Sequence, residues 1–194
     1  MHSGKRAIID LDDTLGGLRF VIEDHMNMIT GTDKKWTDWK RLDVEEIYDI
    51  TNDKFLEIAG HQYLLEKSMP HSDARYGMKL LKDAGLQLTI LTARSWHRRP
   101  EYMTQRWLEL YDIPFDDIVV CAIEEDKADY IRHMDNVLFT IDDSPRHCNS
   151  YAQMTHNRPE YVFAYEMPWN QSGLHESVIP VKTLFEFSLH IEGL

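Results

Sequence analysis

At 194 residues the chain is long enough for one well-packed domain carrying a small inserted module. Hydrophobic residues make up 43% and charged residues 28%, as in ordinary globular proteins, and no apolar run approaches the roughly 20 residues of a membrane-spanning helix. A formal net charge of −12 argues against a binder of nucleic-acid backbone, which takes most of its affinity from a basic face set against phosphates.

The first residues, Met1 to Arg6, lead into an apolar run of only three, Ala7 to Ile9, too short for the apolar core of a secretory leader. Two cysteines, Cys121 and Cys148, make no disulfide framework and are expected to be unreactive thiols. A reducing cytoplasm is the expected location.

Arg6 to Asp10 reads as a short buried strand, because three apolar residues are followed at once by acids. Leu18, Val21, Ile22, His25, Met26 and Ile29 recur at helical spacing, and Gly31 stops that helix. From there to about Met69 the chain is polar and aromatic, with Trp36, Trp39, Tyr48, Phe55 and Tyr63, and its periodicity is helical throughout. Ser72 is placed to cap a helix with Ala74, Gly77, Met78, Leu81 and Ala84 on its inner face, closed by Gly85.

Leu86 to Thr92 predicts the second strand, and Pro100 the first turn of a helix carrying Met103, Trp107 and Leu110. Asp117 to Cys121 follows as a strand, Glu124 to His133 as a helix and Val137 to Ile141 as a strand. Ser144-Pro145 is a cap and first-turn pair for another helix; Tyr161 to Tyr165 is a fifth strand, and Leu184 to Ile191 a closing helix. Alternating strands and helices imply an α/β fold whose parallel sheet is covered on both faces. Ligands in such sheets bind at the carboxyl ends of the strands.

The residues at those ends carry the chemistry. Asp10 can attack phosphorus to form an acyl phosphate, and Asp12, two residues on, can protonate a leaving oxygen and later take a proton from water. Thr92 ends the second strand, where its hydroxyl and the neighbouring backbone N–H groups can hold a phosphoryl oxygen. Lys127 stands at a helix start, where the helix dipole disfavours it, which points to another duty. Asp142-Asp143 places two carboxylates at a buried strand end, where they repel unless a cation compensates, and oxygen-only ligands suit Mg²⁺.

In order and spacing these four segments resemble the four motifs of the haloacid-dehalogenase (HAD) superfamily, over most of the chain. The resemblance implies a Rossmann-like core with Asp10 as nucleophile and Asp12 as general acid and base. It further implies Thr92 as a phosphoryl-binding group and Lys127 as the cation neutralising Asp10 and the phosphate. Mg²⁺ would be held by Asp10, the Asp12 carbonyl and an acid of the pair, with Asp143 the direct ligand and Asp142 behind it. Members that transfer phosphoryl groups carry the second acid, here Asp12, and the dehalogenases lack it.

Residues 15–91 separate the first motif from Thr92, and an insertion there resembles a helical cap, expected over 18–69, with residues 1–17 and 70–194 forming the core. Three further segments are similar to the 5′(3′)-deoxyribonucleotidases: Glu66 to Ala74 at the cap exit, Arg106-Trp107-Leu108-Glu109, and Met167-Pro168-Trp169-Asn170 after the fifth strand. The mammalian members carry Gly-Val where Asp13-Thr14 stands and Ser-Pro where Ala93-Arg94 stands. The expected substrate is a small nucleoside monophosphate, contacted by Thr92, Ala93, Arg94 and Arg98, the two arginines belonging to a basic cluster with His97 and Arg99. A polynucleotide 3′-phosphatase, a general small-molecule phosphatase and a catalytically silent HAD-like binding protein are the alternatives. A homo-oligomer is compatible with the sequence.

Overall fold

The computed structural model describes residues 4–41, 43–61 and 64–192; Tyr63 of the aromatic segment and the first three residues of the chain lie outside them. Strand β1 (Arg6–Ile9) is followed by α1 (Leu18–Thr30), a 3₁₀ turn (Trp36–Asp38), α2 (Val44–Tyr48), α3 (Asn52–His61) and α4 (Leu64–Lys67). Then come α5 (Ala74–Asp83), β2 (Gln87–Thr92), α6 (Pro100–Leu110), β3 (Asp117–Val120), α7 (Lys127–Ile131) and β4 (Val137–Asp142). The chain closes with α8 (Pro145–Ala152), β5 (Tyr161–Tyr165), a second 3₁₀ turn (Pro168–Asn170), β6 (Val178–Val181) and α9 (Leu184–Glu192).

The six strands form one sheet in the order β3-β2-β1-β4-β5-β6, every pair parallel. This is the parallel α/β sheet that the alternation of periods predicts, with the Rossmann-like core that the resemblance implies. β1 lies between β2 and β4, with Ile9 level with both Ile90 and Ile141, so Asp10 leaves the sheet at its middle. Alternate residues of β1 feed the two faces: Ala7 and Ile9 join a cluster with Leu88, Ile90, Phe163 and Phe187, while Ile8 joins Leu91, Ile131, Val162 and Tyr151.

β6 has no counterpart among the predicted strands. It is four residues long and contains Pro180, which cannot donate to a ladder. Its place at the sheet edge, paired only with β5, tolerates that proline. Two helix starts also differ from expectation. Asp73, not Ser72, occupies the cap position of α5, and its carboxylate accepts the N–H of Phe185 (2.9 Å) instead of capping its own helix. The helix expected over Glu124 to His133 shortens to α7, because Asp126 caps it by accepting from the Ala128 N–H (3.0 Å). α1 ends as expected at Gly31, whose φ of 68° is the left-handed conformation that favours glycine.

Residues 18–69 are helical wherever an element is described. The segment returns to the core beside its own point of departure: the Gly17 N–H donates to the Met69 carbonyl (3.0 Å), and Gly16 bridges Pro70. Trp107 of α6 closes the junction, donating from Nε1 to the Ser68 carbonyl (2.8 Å). A Cβ on Gly16 would lie 2.6 Å from the Trp107 ring, so glycine is required there by close approach. Among the described residues no helix is long and apolar enough to cross a membrane.

Candidate active site

The ends of β1, β2 and β4 and the start of α7 converge. Lys127, the first residue of α7, is almost wholly buried; its Nζ donates to Asp10 Oδ1 at 2.5 Å and to Asp142 Oδ2 at 2.8 Å. Asp142 also accepts the Ser144 N–H at Oδ1 (2.9 Å), which fixes the turn into α8. Ser144 is the cap residue there, but its side chain makes no cap bond; its carbonyl accepts from Cys148 N (3.0 Å).

Asp143 has different partners. Its Oδ2 accepts the indole N–H of Trp169 (2.9 Å), and its carbonyl accepts from Asn170 Nδ2 (2.8 Å), which also donates to the Tyr165 carbonyl (2.7 Å). The Trp-Asn pair noted in the sequence thus holds both the side chain and the backbone of Asp143.

Ligand oxygens of Asp10, Asp142 and Asp143 all lie within 4.8 Å of one another, and all three residues are buried. Three carboxylates face one ammonium. Burial pushes Asp10 up to about 7, with Lys127 opposing and Asp142 and Asp12 adding to the rise. Burial and the charges of Asp10, Asp142 and Asp13 hold Asp143 well above its ordinary value. Burial also works to raise Asp142, but Lys127, His147 and the hydrogen bonds from Lys127 and Ser144 outweigh it, and Asp142 stays below the ordinary range. Lys127 is the reverse case, its charge opposed by burial yet upheld by both acids. The excess negative charge and the all-oxygen donor set fit a small hard divalent cation, which Asp10, Asp142 and Asp143 can hold.

Asp12 stands at the rim of this cluster, and the residue that meets it is Arg94. Arg94 Nε donates to Asp12 Oδ2 (2.7 Å), Nη2 to Oδ1 (2.5 Å) and Nη1 to Thr104 Oγ1 (3.3 Å). Arg94 is fully buried, so the guanidinium expected to contact substrate is engaged by Asp12 instead. Thr92 is also fully buried, its hydroxyl 3.4 Å from Asp12 Oδ2. Ala93 lines the cavity above the carboxylates, whereas Arg98 is exposed and is not part of that wall.

The cavity holds about 520 Å³. Asp10, Asp12, Lys127, Asp142 and Asp143 line it, together with Ile22, Trp39, Val44, Asn52 and Phe55 from the chain between β1 and β2. The cationic side chains on its lining besides Lys127 are Lys40, Arg41 and Arg146, none of which the sequence singled out. Of the inserted aromatics, Trp39 and Phe55 reach the cavity, while Tyr48 packs edge-on against Trp39 and Trp36 against Phe20.

Asp13 and Arg19 form a further pair that sequence reasoning passed over. Asp13 has a φ of 63° and is buried; its Oδ1 accepts both the backbone N–H of Arg19 (2.9 Å) and its Nη1 (2.6 Å). Burial raises Asp13 to about 6 despite Arg19. An arginine early in a helix carries no signal of its own, and only the turn after Asp12 brings it back to the site. Cys121 and Cys148 are both buried with thiols pushed up by burial, as unreactive cysteines should be.

No protein-family model and no curated protein matches this sequence. Solved structures do match in shape. A predicted phosphatase from Clostridium acetobutylicum superposes with a TM-score of 0.63 at 16% identity, over 98% of this chain and 99% of that one. A HAD phosphatase from Thermococcus onnurineus gives 0.57 at 14%, over 97% of this chain and 98% of that one. The D,D-heptose 1,7-bisphosphate phosphatase of B. bronchiseptica, complexed with magnesium and phosphate, gives 0.59 at 13%, again over 97% and 98%. The chain has the fold of the HAD phosphatases. At these identities the likeness speaks for the fold alone.

Proposed function

We propose that this protein is a Mg²⁺-dependent phosphomonoesterase that works through a phosphoaspartate on Asp10, with (deoxy)nucleoside monophosphates as substrates. The observation that carries the reading is Lys127 bridging Asp10 and Asp142 beside Asp143, with a second acid, Asp12, two residues after Asp10 on the lining of the same cavity.

In the first half-reaction an Asp10 carboxylate oxygen attacks phosphorus, the ester P–O bond breaks, and Asp12 gives a proton to the departing alcohol oxygen. In the second, Asp12 takes a proton from water, whose oxygen attacks phosphorus; the bond to Asp10 breaks and inorganic phosphate leaves. Lys127 offsets negative charge at Asp10 and on the phosphoryl group throughout. Thr92 and the Ala93 backbone are assigned to the phosphoryl oxygens. A bound Mg²⁺, held by Asp10, the Asp12 carbonyl and Asp143, with Asp142 behind them on Lys127 and the Ser144 N–H, would supply further positive charge to the phosphoryl oxygens. Arg94 keeps Asp12 in place.

The inserted segment 18–69 is read as a cap that selects substrate. Trp39, Phe55 and, from the core, Trp96 supply flat apolar surface for a base, and Lys40, Arg41 and Arg146 supply cations near the mouth. The preference for deoxyribose rests on the sequence resemblance. The acidic exterior disfavours a polynucleotide, whose many phosphates meet repulsion. The test is phosphate release across nucleotides, sugar phosphates and 3′-phosphorylated oligonucleotides, with Asp10→Asn as control. Nucleoside monophosphates should turn over fastest and Asp10→Asn should lose at least three orders of magnitude. Faster turnover of sugar phosphates or of oligonucleotides would overturn the substrate assignment, and an active, folded Asp10→Asn would overturn the mechanism.

A further inference from the structure

Asp143 differs from the two acids beside it. Lys127 donates to Asp10 and Asp142, but the carboxylate of Asp143 accepts one hydrogen bond among the described residues, from Trp169 Nε1 at 2.9 Å, and that bond uses Oδ2. Trp169 is 6% exposed. Its position is fixed by the 3₁₀ turn it belongs to, where Asn170 Oδ1 accepts the Met167 N–H (2.9 Å) and Asn170 Nδ2 reaches the Tyr165 and Asp143 carbonyls. The Arg19 guanidinium lies against the Trp169 ring, 5.7 Å from its centroid. The same guanidinium lies 4.5 Å from the Trp36 ring of the inserted segment and pairs with Asp13 at 2.6 Å. A continuous set of contacts therefore runs from the insert, through Arg19 and the indole of Trp169, to one oxygen of Asp143.

We infer that Trp169 is a positioning residue for cation binding: its N–H holds one oxygen of Asp143 so that the other is presented to the cation, and Arg19 holds the ring that does so. The inference rests on the reading of the site as a Mg²⁺ centre. A ligand carboxylate left to rotate must be ordered when the cation binds, whereas one already hydrogen-bonded presents its free oxygen without that loss. Phenylalanine at 169 keeps most of the ring and loses the donor. Lysine at 19 keeps the charge and loses the planar face that lies on the indole.

Mg²⁺ affinity is measured by calorimetry on the full chain, alongside kcat at rising Mg²⁺. Trp169→Phe should raise the Mg²⁺ dissociation constant about tenfold while kcat recovers at saturating Mg²⁺, and Arg19→Lys should raise it severalfold. An unchanged dissociation constant in folded Trp169→Phe would overturn the inference, as would a loss of kcat that saturating Mg²⁺ does not restore. The unaltered protein gives a second readout that does not depend on a variant folding. The ¹H–¹⁵N signal of the Trp169 indole should move on adding Mg²⁺, and that of Trp107, bonded to the Ser68 carbonyl at 2.8 Å, should stay. A Trp169 signal that does not respond while Mg²⁺ binds overturns the inference alone. Absence of Mg²⁺ binding to the unaltered protein overturns the cation reading and this one with it.

Discussion

Arg94 and Asp12 meet as a forked ion pair, two guanidinium nitrogens on two carboxylate oxygens at 2.5 and 2.7 Å, with the arginine fully buried. A fork of this kind fixes the direction of a carboxylate as well as neutralising it. The basic residue nearest the end of β2 is therefore engaged by the proposed acid and base, and the cations on the cavity lining besides Lys127 are Lys40 and Arg41, between β1 and β2, and Arg146 of α8.

Arg94→Lys keeps a charge in this place and removes the fork. With Asp12 free to turn, kcat should fall about 10²-fold, the scale on which misplacement of a reacting group is felt, while KM changes less than threefold. Steady-state kinetics on the folded variant decide. A raised KM with unchanged kcat would return Arg94 to the substrate-contact role that the sequence suggested.

Asp143 is a buried carboxyl held well above its ordinary value by burial and by three neighbouring acids. Its ionisation opposes folding, so Asp143→Asn should stabilise the cation-free protein by about 1–2 kcal/mol at pH 7, although it impairs the site. Denaturant unfolding in excess chelator measures the gain. Adding Mg²⁺ should then stabilise the variant far less than the unaltered protein. Destabilisation by a similar amount would mean that Asp143 already has compensation the contacts do not reveal.

The same acids give a pH dependence of definite sign. Asp10 is raised to about 7 in the folded state from an ordinary 3.8. Its contribution to cation-free stability is therefore fully present below pH 4 and is lost as pH rises to 7. Cation binding runs the opposite way, because protons compete for the ligand oxygens. The Asp10 proton alone, with a pKa of about 7, should weaken Mg²⁺ binding about tenfold between pH 8 and pH 6, and a proton held on Asp143 adds to that loss. Calorimetry at the two pH values measures this, and equal affinities would show that Asp10 is ionised throughout.

Five of the six strands were legible because they are short and largely apolar, and three of them end in chemistry: Ile9 before Asp10, Leu91 before Thr92, Ile141 before Asp142. β6 was not, since Pro180 contradicts a strand unless its edge position is known. Of the site, the convergence of Asp10, Asp12, Thr92, Asp142 and Asp143 follows from their places at or just past strand ends, whereas Lys127, at the start of α7, was legible from its unfavourable place at a helix N-terminus. The partners of those residues do not. Arg94 reads as a free cation in the sequence because burial is invisible there, and Trp169 lies 26 residues from the acid it holds. Arg19, which links the insert to both Asp13 and Trp169, has only the spacing of an ordinary helix residue.

Phe55 tests the proposed reading of residues 18–69 as a substrate-selecting cap. It is half-buried on the cavity lining, in α3, and packs against the apolar core. Removing a ring that stacks on a base forfeits contact with the base but leaves the phosphoryl chemistry intact. Phe55→Ala should therefore raise KM for a nucleoside monophosphate about tenfold, a loss of roughly 1.4 kcal/mol, with kcat within threefold. The same variant should treat a small ester without a base, such as glycerol phosphate, as the unaltered enzyme does. Steady-state kinetics on both substrates separate the readings: an equal loss for the two would make Phe55 part of the insert's own packing, and no loss for either would place the base elsewhere on the wall.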